Sequence, residues 1–190
     1  MRTFISINPD IEIKKEISKI QNELKEQIFS INNAFIKSIK WETEDKFHIT
    51  LFFIGDTSES KVNNIHSGII KLESSLSLNE INFAAKNVNA FPKLKYPRVI
   101  ILDLVNENNK IFELSNKLNT VLKEEGFESI QRFHPHITLG RIKRENKINL
   151  IGLENKTKMD LNFRVKNFYL MESKLKNIGS EYSILKEYKI

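Results

Sequence analysis

One four-residue string occurs twice in this chain and sets the terms for everything else. HITL stands inside FHITLFFIG, where its histidine is His48, and inside HITLGRI, where its histidine is His136, 88 positions further on in a chain of 190 residues. Each copy follows a segment whose apolar residues recur at intervals of three and four, so each reads as a strand that follows a helix. A repeat spanning nearly half the chain predicts two similar lobes produced by duplication. The length suits one domain, residues 1–190, holding both lobes with one motif strand in each.

The remaining segments supply the elements such lobes need. Phe4, Ile5, Ser6 and Ile7 alternate before Pro9 as a short strand, and Ile13, Ile17, Ile20, Leu24, Ile28 and Ile31 form one apolar helical stripe that must pack on a sheet. The FHITLFFIG strand closes at Gly55 and Asp56, and Val62, Ile65, Ile69 and Leu72 mark a second helix. Strand-like stretches at 80–91 and 98–105 flank the turn-prone FPKLKYP. A third helix passes through Ile111, Leu114, Leu118, Val121 and Leu122 and stops at Gly126. After HITLGRI, runs at 160–172 and 181–189 flank a turn around Gly179. Strands that follow one another without regular helical crossovers predict an α+β fold with antiparallel pairing, not a βαβ series.

Strand geometry assigns the repeated residues their task. Side chains alternate with a period of two, so His48 and Thr50 project to one face about 7 Å apart while Ile49 and Leu51 bury on the other. His136 and Thr138 do the same against Ile137 and Leu139. Two such strands facing each other place two imidazoles across a cleft. With an ordinary pKa near 6.5, one can be neutral and the other protonated near neutral pH, an acid and a base for breaking a phosphoester. The threonine hydroxyls can grip non-bridging phosphate oxygens. Arg141 lies five positions after His136, which in a regular strand is the opposite face, but a bulge at Gly140 would turn its guanidinium inward as a two-donor phosphate ligand. A solvated charge at the strand end is the competing reading.

Other residues carry weaker signals. His134 shares parity with His136 and could join it in a metal-binding His-x-His, but no third ligand is near in sequence, and Pro135 favours a rim or core position. No metal or cofactor is expected. His66, on the flank of a helical stripe, reads as solvated. Phe4 and Tyr96 could stack a base, although an aromatic in a strand more often belongs to the core.

Composition excludes several classes. The chain has no cysteine, which removes disulfides, cysteine-ligated metals and cysteine nucleophiles and makes the cytoplasm the expected compartment. The N-terminal MRTFISINPD has no apolar core and cleavage site of a signal peptide, and no apolar run approaches the roughly 18 residues of a membrane span, so a soluble, untargeted protein is expected. Hydrophobic residues make up 40%, too many for disorder. A net charge of +6 suits a polyanionic partner, though a Lys-, Ile- and Asn-rich codon bias would give the same balance.

On these residues the sequence resembles the 2H phosphoesterase superfamily, and within it the RNA 2′,3′-cyclic phosphodiesterases, also described as 2′-5′ RNA ligases. The likeness runs through MRTFISI, the Trp41 to Asp56 stretch with DKFHITLFFIGD, AFPKLKYPRVI, RFHPHITLGRIK and LMESKLKNIGSEYSIL. It implies a bilobal, pseudo-twofold α+β fold, two antiparallel sheets backed by helices with the active site in the groove between them. It implies His48 as proton donor and His136 as proton acceptor, Thr50, Thr138 and Arg141 as substrate-binding residues, and a 2′-phosphate product. Two departures stand outside the motifs: Ile100 and Ile101 where the family often has an aromatic, and no glycine shortly before Phe91.

The expected function is metal-independent opening of RNA 2′,3′-cyclic phosphate ends, or of cyclic nucleotides, by a monomer, with reversible 2′-5′ ligation and without a membrane partner. Two alternatives remain: a related enzyme acting on a small cyclic phosphate such as an ADP-ribose derivative, or a catalytically silent RNA-binding module. A steep fall of affinity with salt separates RNA from a small molecule.

Overall fold

A computed structural model describes residues 1–128, 132–153, 159–176 and 179–190. The chain runs β1 (Arg2–Ile7), α1 (Ile11–Ile31), α2 (Asn33–Lys37), β2 (Ile39–Trp41), a 3-10 turn at Glu44–Lys46, β3 (Ile49–Asp56), α3 (Glu59–Glu73), β4 (Ile81–Phe91), β5 (Val99–Val105), α4 (Lys110–Glu124), β6 (His136–Ile142), β7 (Asn162–Val165), β8 (Asn167–Lys176) and β9 (Gly179–Lys189). Two antiparallel sheets result, one of order β3-β1-β8-β9 and one of order β2-β6-β5-β4-β7. The α+β architecture and its antiparallel pairing are as expected from the sequence.

Each sheet contains one motif strand, but the sheets are not the two halves of the chain. The four-stranded sheet takes β1 and β3 from the first half and β8 and β9 from the last quarter, and β2 leaves the first half to pair with β6. The helices cross over as well. Helix α1 follows β1 yet bonds to the other sheet, where the buried Gln21 amide donates to the carbonyls of Glu42 (2.8 Å) and Leu139 (2.9 Å). Helix α4 follows β5 but lies against β3 and α3. Such exchange ties both sheets into one apolar core that includes Ile5, Ile17, Leu24, Ile49, Ile65, Leu118, Ile137 and Leu170.

The two exchanged helices bury the same pattern. Ile17, Gln21, Leu24 and Ile28 of α1 are buried at steps of four, three and four, and Ile111, Ser115, Leu118 and Leu122 of α4 repeat those steps. Each apolar side chain removed from water contributes roughly 1.5–3 kcal/mol, so these stripes, more than helix propensity, hold the helices down. One polar residue is embedded in each stripe, and an apolar-only reading passes over both.

Two departures from the sequence reading concern elements. Strand β2 has only three residues, too short for a periodicity signal. The run predicted at 160–172 is two strands, β7 and β8, divided at Lys166 and pairing in different sheets. The predicted turn around Gly179 includes residues 177 and 178, which lie outside the described residues. His66 is not simply solvated, for its ring packs on Tyr188 and its Nδ1 lies 3.0 Å from the phenol oxygen, joining α3 to β9. Among the described residues no helix is long and apolar enough to cross a membrane.

Candidate active site

The motif strands are held in register by their buried halves. Phe47 and Ile49 flank His48 with no exposure, Leu51 is buried beyond Thr50, and Ile137 and Leu139 flank Thr138 in the same way. Sliding either strand by one residue would exchange these apolar side chains with the histidine and threonine, at a cost of several kcal/mol. The apolar residues therefore aim the polar ones.

Both strands carry a bulge at the same place. In β3, Ser6 pairs with Thr50 and Ile5 with Phe52, leaving Leu51 unopposed, and in β6, Ile101 pairs with Thr138 and Ile100 with Gly140, leaving Leu139 unopposed. An extra residue reverses the alternation. The third residue after each threonine thus returns to the threonine's face: Phe53 in one sheet and Arg141 in the other, both exposed on strands whose neighbours are buried. The second bulge needs Gly140. A Cβ there would come within 2.9 Å of Ile39 and 3.1 Å of the Trp41 ring, its cross-strand partner.

Arg141 does not stand free in solvent. Its Nε donates to Glu42 Oε1 at 3.1 Å, and Glu42 is itself placed by its backbone N–H on the Leu139 carbonyl and by Gln21 on its own carbonyl. With Nε engaged, the terminal guanidinium nitrogens remain to grip an anion. Glu42 and Gln21 hold Arg141 in place, and the sequence did not point to them because neither lies in a motif.

The two histidines repeat one hydrogen bond. His48 Nδ1 donates to the Lys46 carbonyl and His136 Nδ1 to the His134 carbonyl, each at 2.7 Å and each two residues back. This fixes the tautomer of the neutral rings and leaves Nε2 of each for proton transfer. His48 Nε2 lies 3.1 Å from Thr50 Oγ1, a hydroxyl that donates to the neutral ring or accepts from the charged one. The rings are also set among aromatics. Phe4 and Tyr182 approach His48 at 5.2 and 5.3 Å between centroids, and Phe91 meets His136 edge-on at 5.1 Å.

Electrostatically the two differ. Burial pushes the His48 imidazole down to about 4; the Lys46 carbonyl opposes this, while the cations of Lys14, Arg141 and His136 add to it. Burial lowers His136 as well, but there the Asp103 carboxylate joins the His134 carbonyl in opposing the shift, against the charges of His134 and Arg141. Neither ring is as solvated as a strand-face reading suggests.

A cavity of about 320 Å³ lies between the sheets, walled by His48, Thr50, Thr138, Arg141, Tyr182 and Phe53, with Arg2, Lys40 and Lys46 adding positive charge. Four of the five predicted residues are thus brought together. His136 is not part of the cavity wall; Phe91 covers its ring, yet it is near enough for its charge to act on His48. Phe4, largely buried with its ring against His48, nonetheless lines the cavity, whereas Tyr96 is exposed with Lys93 and Lys95 over its ring, away from the cavity wall. Tyr182 and Phe53 were missed. The bulge at Leu51, legible only from the sequence parallel with Arg141, was the available signal for Phe53.

Comparison with known proteins gives a consistent picture. The family described as LigT like Phosphoesterase matches residues 7–101 and again 102–182. A protein of Methanocaldococcus jannaschii named RNA 2′,3′-cyclic phosphodiesterase is 31% identical over 191 residues, covering 99% of this chain and 100% of that protein. One of Thermotoga maritima with the same name is 32% identical over 143 residues, 75% of this chain and 71% of that protein. Among solved structures, a Thermus thermophilus protein superposes with a TM-score of 0.79 at 21% identity, covering 100% of this chain and 97% of that one. E. coli LigT complexed with 3′-AMP gives 0.73 at 22% identity, with the same coverage.

Proposed function

The chain belongs to the LigT-like phosphoesterase family, and on that premise we propose that it opens the 2′,3′-cyclic phosphate at an RNA 3′ end to a 2′-phosphomonoester and a free 3′ hydroxyl. The observation that carries this reading is the matched pair of imidazoles, each with Nδ1 fixed on a carbonyl and Nε2 left for proton transfer, beside a cationic cavity. Residues 1–190 act as one catalytic domain of two lobes, each lending one motif strand. All five motif residues come from one chain, which fits a monomer.

The roles follow from the family resemblance and from acid strength. His136 removes a proton from water through Nε2, and the oxygen attacks phosphorus; the bond from phosphorus to the 3′ oxygen breaks, and His48 Nε2 gives that oxygen a proton. Arg141 and the hydroxyls of Thr50 and Thr138 hold the non-bridging oxygens, whose charge grows in the transition state. A depressed imidazole is a stronger acid and an imidazole supported by a carboxylate a stronger base, so the environments match the roles. At neutral pH the free protein holds little proton on His48, and the phosphate anion supplies the countercharge that burial denies it. The same steps with a 5′ ribose hydroxyl in place of water give the proposed 2′-5′ ligation.

RNA is favoured over a small cyclic phosphate by the names of the relatives and by Arg2, Lys40 and Lys46 around the cavity. Purified protein is assayed against 2′,3′-cyclic nucleotides and an oligonucleotide ending in a cyclic phosphate, with phosphorus NMR of the product and a salt series. A 2′-phosphate product, turnover that persists in EDTA and a steep loss of oligonucleotide affinity with salt are expected. A 3′-phosphate product, or preference for an ADP-ribose cyclic phosphate, overturns the reading.

A further inference from the structure

Outside the motif residues, one titratable cluster neither gives nor takes a proton in the steps just given. The Asp103 carboxylate is buried, with 6% of its residue surface exposed, and it sits on β5 directly across the strand pair from His136. Opposed residues of an antiparallel pair share a face, so the carboxylate and the imidazole are neighbours. One carboxylate oxygen meets His134 Nε2 at 2.7 Å, and the other accepts from the Asn89 amide of β4 at 2.9 Å. His134 is bound twice into this arrangement, because its own carbonyl is the acceptor that fixes His136 Nδ1. Phe91 closes the group, with its ring edge-on to both His134 and His136. A buried carboxylate with two donors has no need of a position beside a second imidazole for its own stability.

We propose that Asp103 and His134, braced by Asn89, form a positioning pair that aims the His136 ring and stabilises the imidazolium formed when His136 takes its proton from water. The inference deepens the function proposed above and rests on it. The carboxylate acts across the strand pair and through the His134 backbone, without touching substrate. Among the described residues the first lobe has no counterpart. Lys46 supplies the carbonyl there, and the residue one step beyond the last paired residues of β1 is Asn8, an uncharged side chain engaged with Ser6 and Met171. The charged or titratable groups acting on His136 are Asp103 from β5, His134 and Arg141 from its own segment, and His48 from the facing sheet, whose own surroundings register the charge of His136; of these only Asp103 favours the protonated ring.

The test titrates the ring protons of His136 and His48 by NMR in the intact protein, in Asp103→Asn and in His134→Gln, together with the kcat/KM profile on a 2′,3′-cyclic nucleotide. In Asp103→Asn the His136 midpoint moves down by about half a pH unit or more, and the upper limb of the profile breaks at correspondingly lower pH. In His134→Gln, where an amide still donates to Asp103 but carries no charge, the midpoint moves up. His48 moves less in both. A brace without electrostatic effect leaves the His136 midpoint in place while activity falls evenly across pH, and shifts of the same sign in both variants likewise overturn the proposal. His134 is half exposed, so His134→Gln keeps the test decisive if the buried Asn fails to fold. The two readings fail separately: absence of cyclic-phosphate opening in the intact protein rejects the function, and unmoved midpoints reject the pair.

Discussion

The two motif strands are alike in backbone and unlike in chemistry. Both set a histidine on a carbonyl two residues back, both place a threonine two residues on, and both bulge at the next leucine. The lobes differ in the side chains around that shared frame. Arg141 stands where the first strand has Phe53, and His134 with Asp103 stands where the first has Lys46 and Asn8. Gly140 replaces Phe52 so that β2 can pair close by and bring Glu42 to Arg141. On the proposed assignment, two like backbone frames with a few different side chains make one suited to give a proton and the other to take one.

The largest expected effect removes what the lobes share. His48→Ala and His136→Ala should each lower kcat by about 10³-fold or more, and the double variant should be little worse than either, because the two act as one unit. Divergence of role then shows in the rescue pattern. A substrate whose 3′ leaving group needs no proton should restore His48→Ala and leave His136→Ala inactive. Rescue of His136→Ala instead exchanges the two roles, and the chemical contrast between the lobes runs the other way.

Next in size is the position at which the lobes differ most plainly. Arg141→Lys keeps a charge but loses both the Glu42 bond at Nε and the planar pair of donors, and kcat/KM should fall about 10- to 100-fold. Unchanged kcat/KM would return Arg141 to the role of a solvated strand end. That competing reading was open in the sequence because parity alone puts Arg141 on the wrong face. Gly140 hinted at the bulge, but its cause, Trp41 and Ile39 approaching from β2, was hidden in a strand of three residues.

The histidines, threonines and apolar frame were legible because they repeat and alternate, and the antiparallel class was legible from element order. What was not legible depends on contacts between distant segments. Sequence gives no sign that β8 and β9 pair with β1, that Tyr182 returns to His48, or that Asp103 lies opposite His136. The burial of His48 followed the same rule: its neighbours in sequence predict an exposed face, and the covering rings come from β1 and β9.

That burial has a pH consequence smaller than either substitution near the optimum. Both imidazoles are lowered from 6.5, His48 to about 4, so the singly protonated pair that the proposed mechanism uses is populated below 6.5. The kcat/KM profile should be bell-shaped with its maximum on the acid side of 6.5, falling up to tenfold per pH unit on the alkaline side. A maximum above pH 7 would mean that the free-protein environments do not govern the reacting pair. Folding should respond in the same sense: a lowered histidine binds its proton more readily when unfolded, so stability is complete above about 6.5 and declines as pH falls toward 4.

The smallest expected effect lies in the helices, where the lobes differ in one buried polar residue. Gln21 reaches from α1 to the carbonyls of Leu139, the bulged residue, and Glu42, the partner of Arg141; Ser115, at the same step in α4, has no such bond to β3 among the described residues. Gln21→Leu replaces the amide with an apolar side chain of similar size and leaves two carbonyls short of one donor each, although Leu139 keeps the Glu42 N–H. Stability should therefore change by only about 1 kcal/mol, read as a small shift in thermal midpoint. Arg141 loses its outer support, so kcat/KM should fall a few-fold, with the loss absent when Gln21→Leu is combined with Arg141→Lys because the supported group is already gone. Ser115→Ala should leave kcat/KM unchanged. Equal losses in Gln21→Leu and Ser115→Ala, or additivity of Gln21→Leu with Arg141→Lys, would show that the helix tunes the core as a whole and that the second lobe's bulge has no dedicated support.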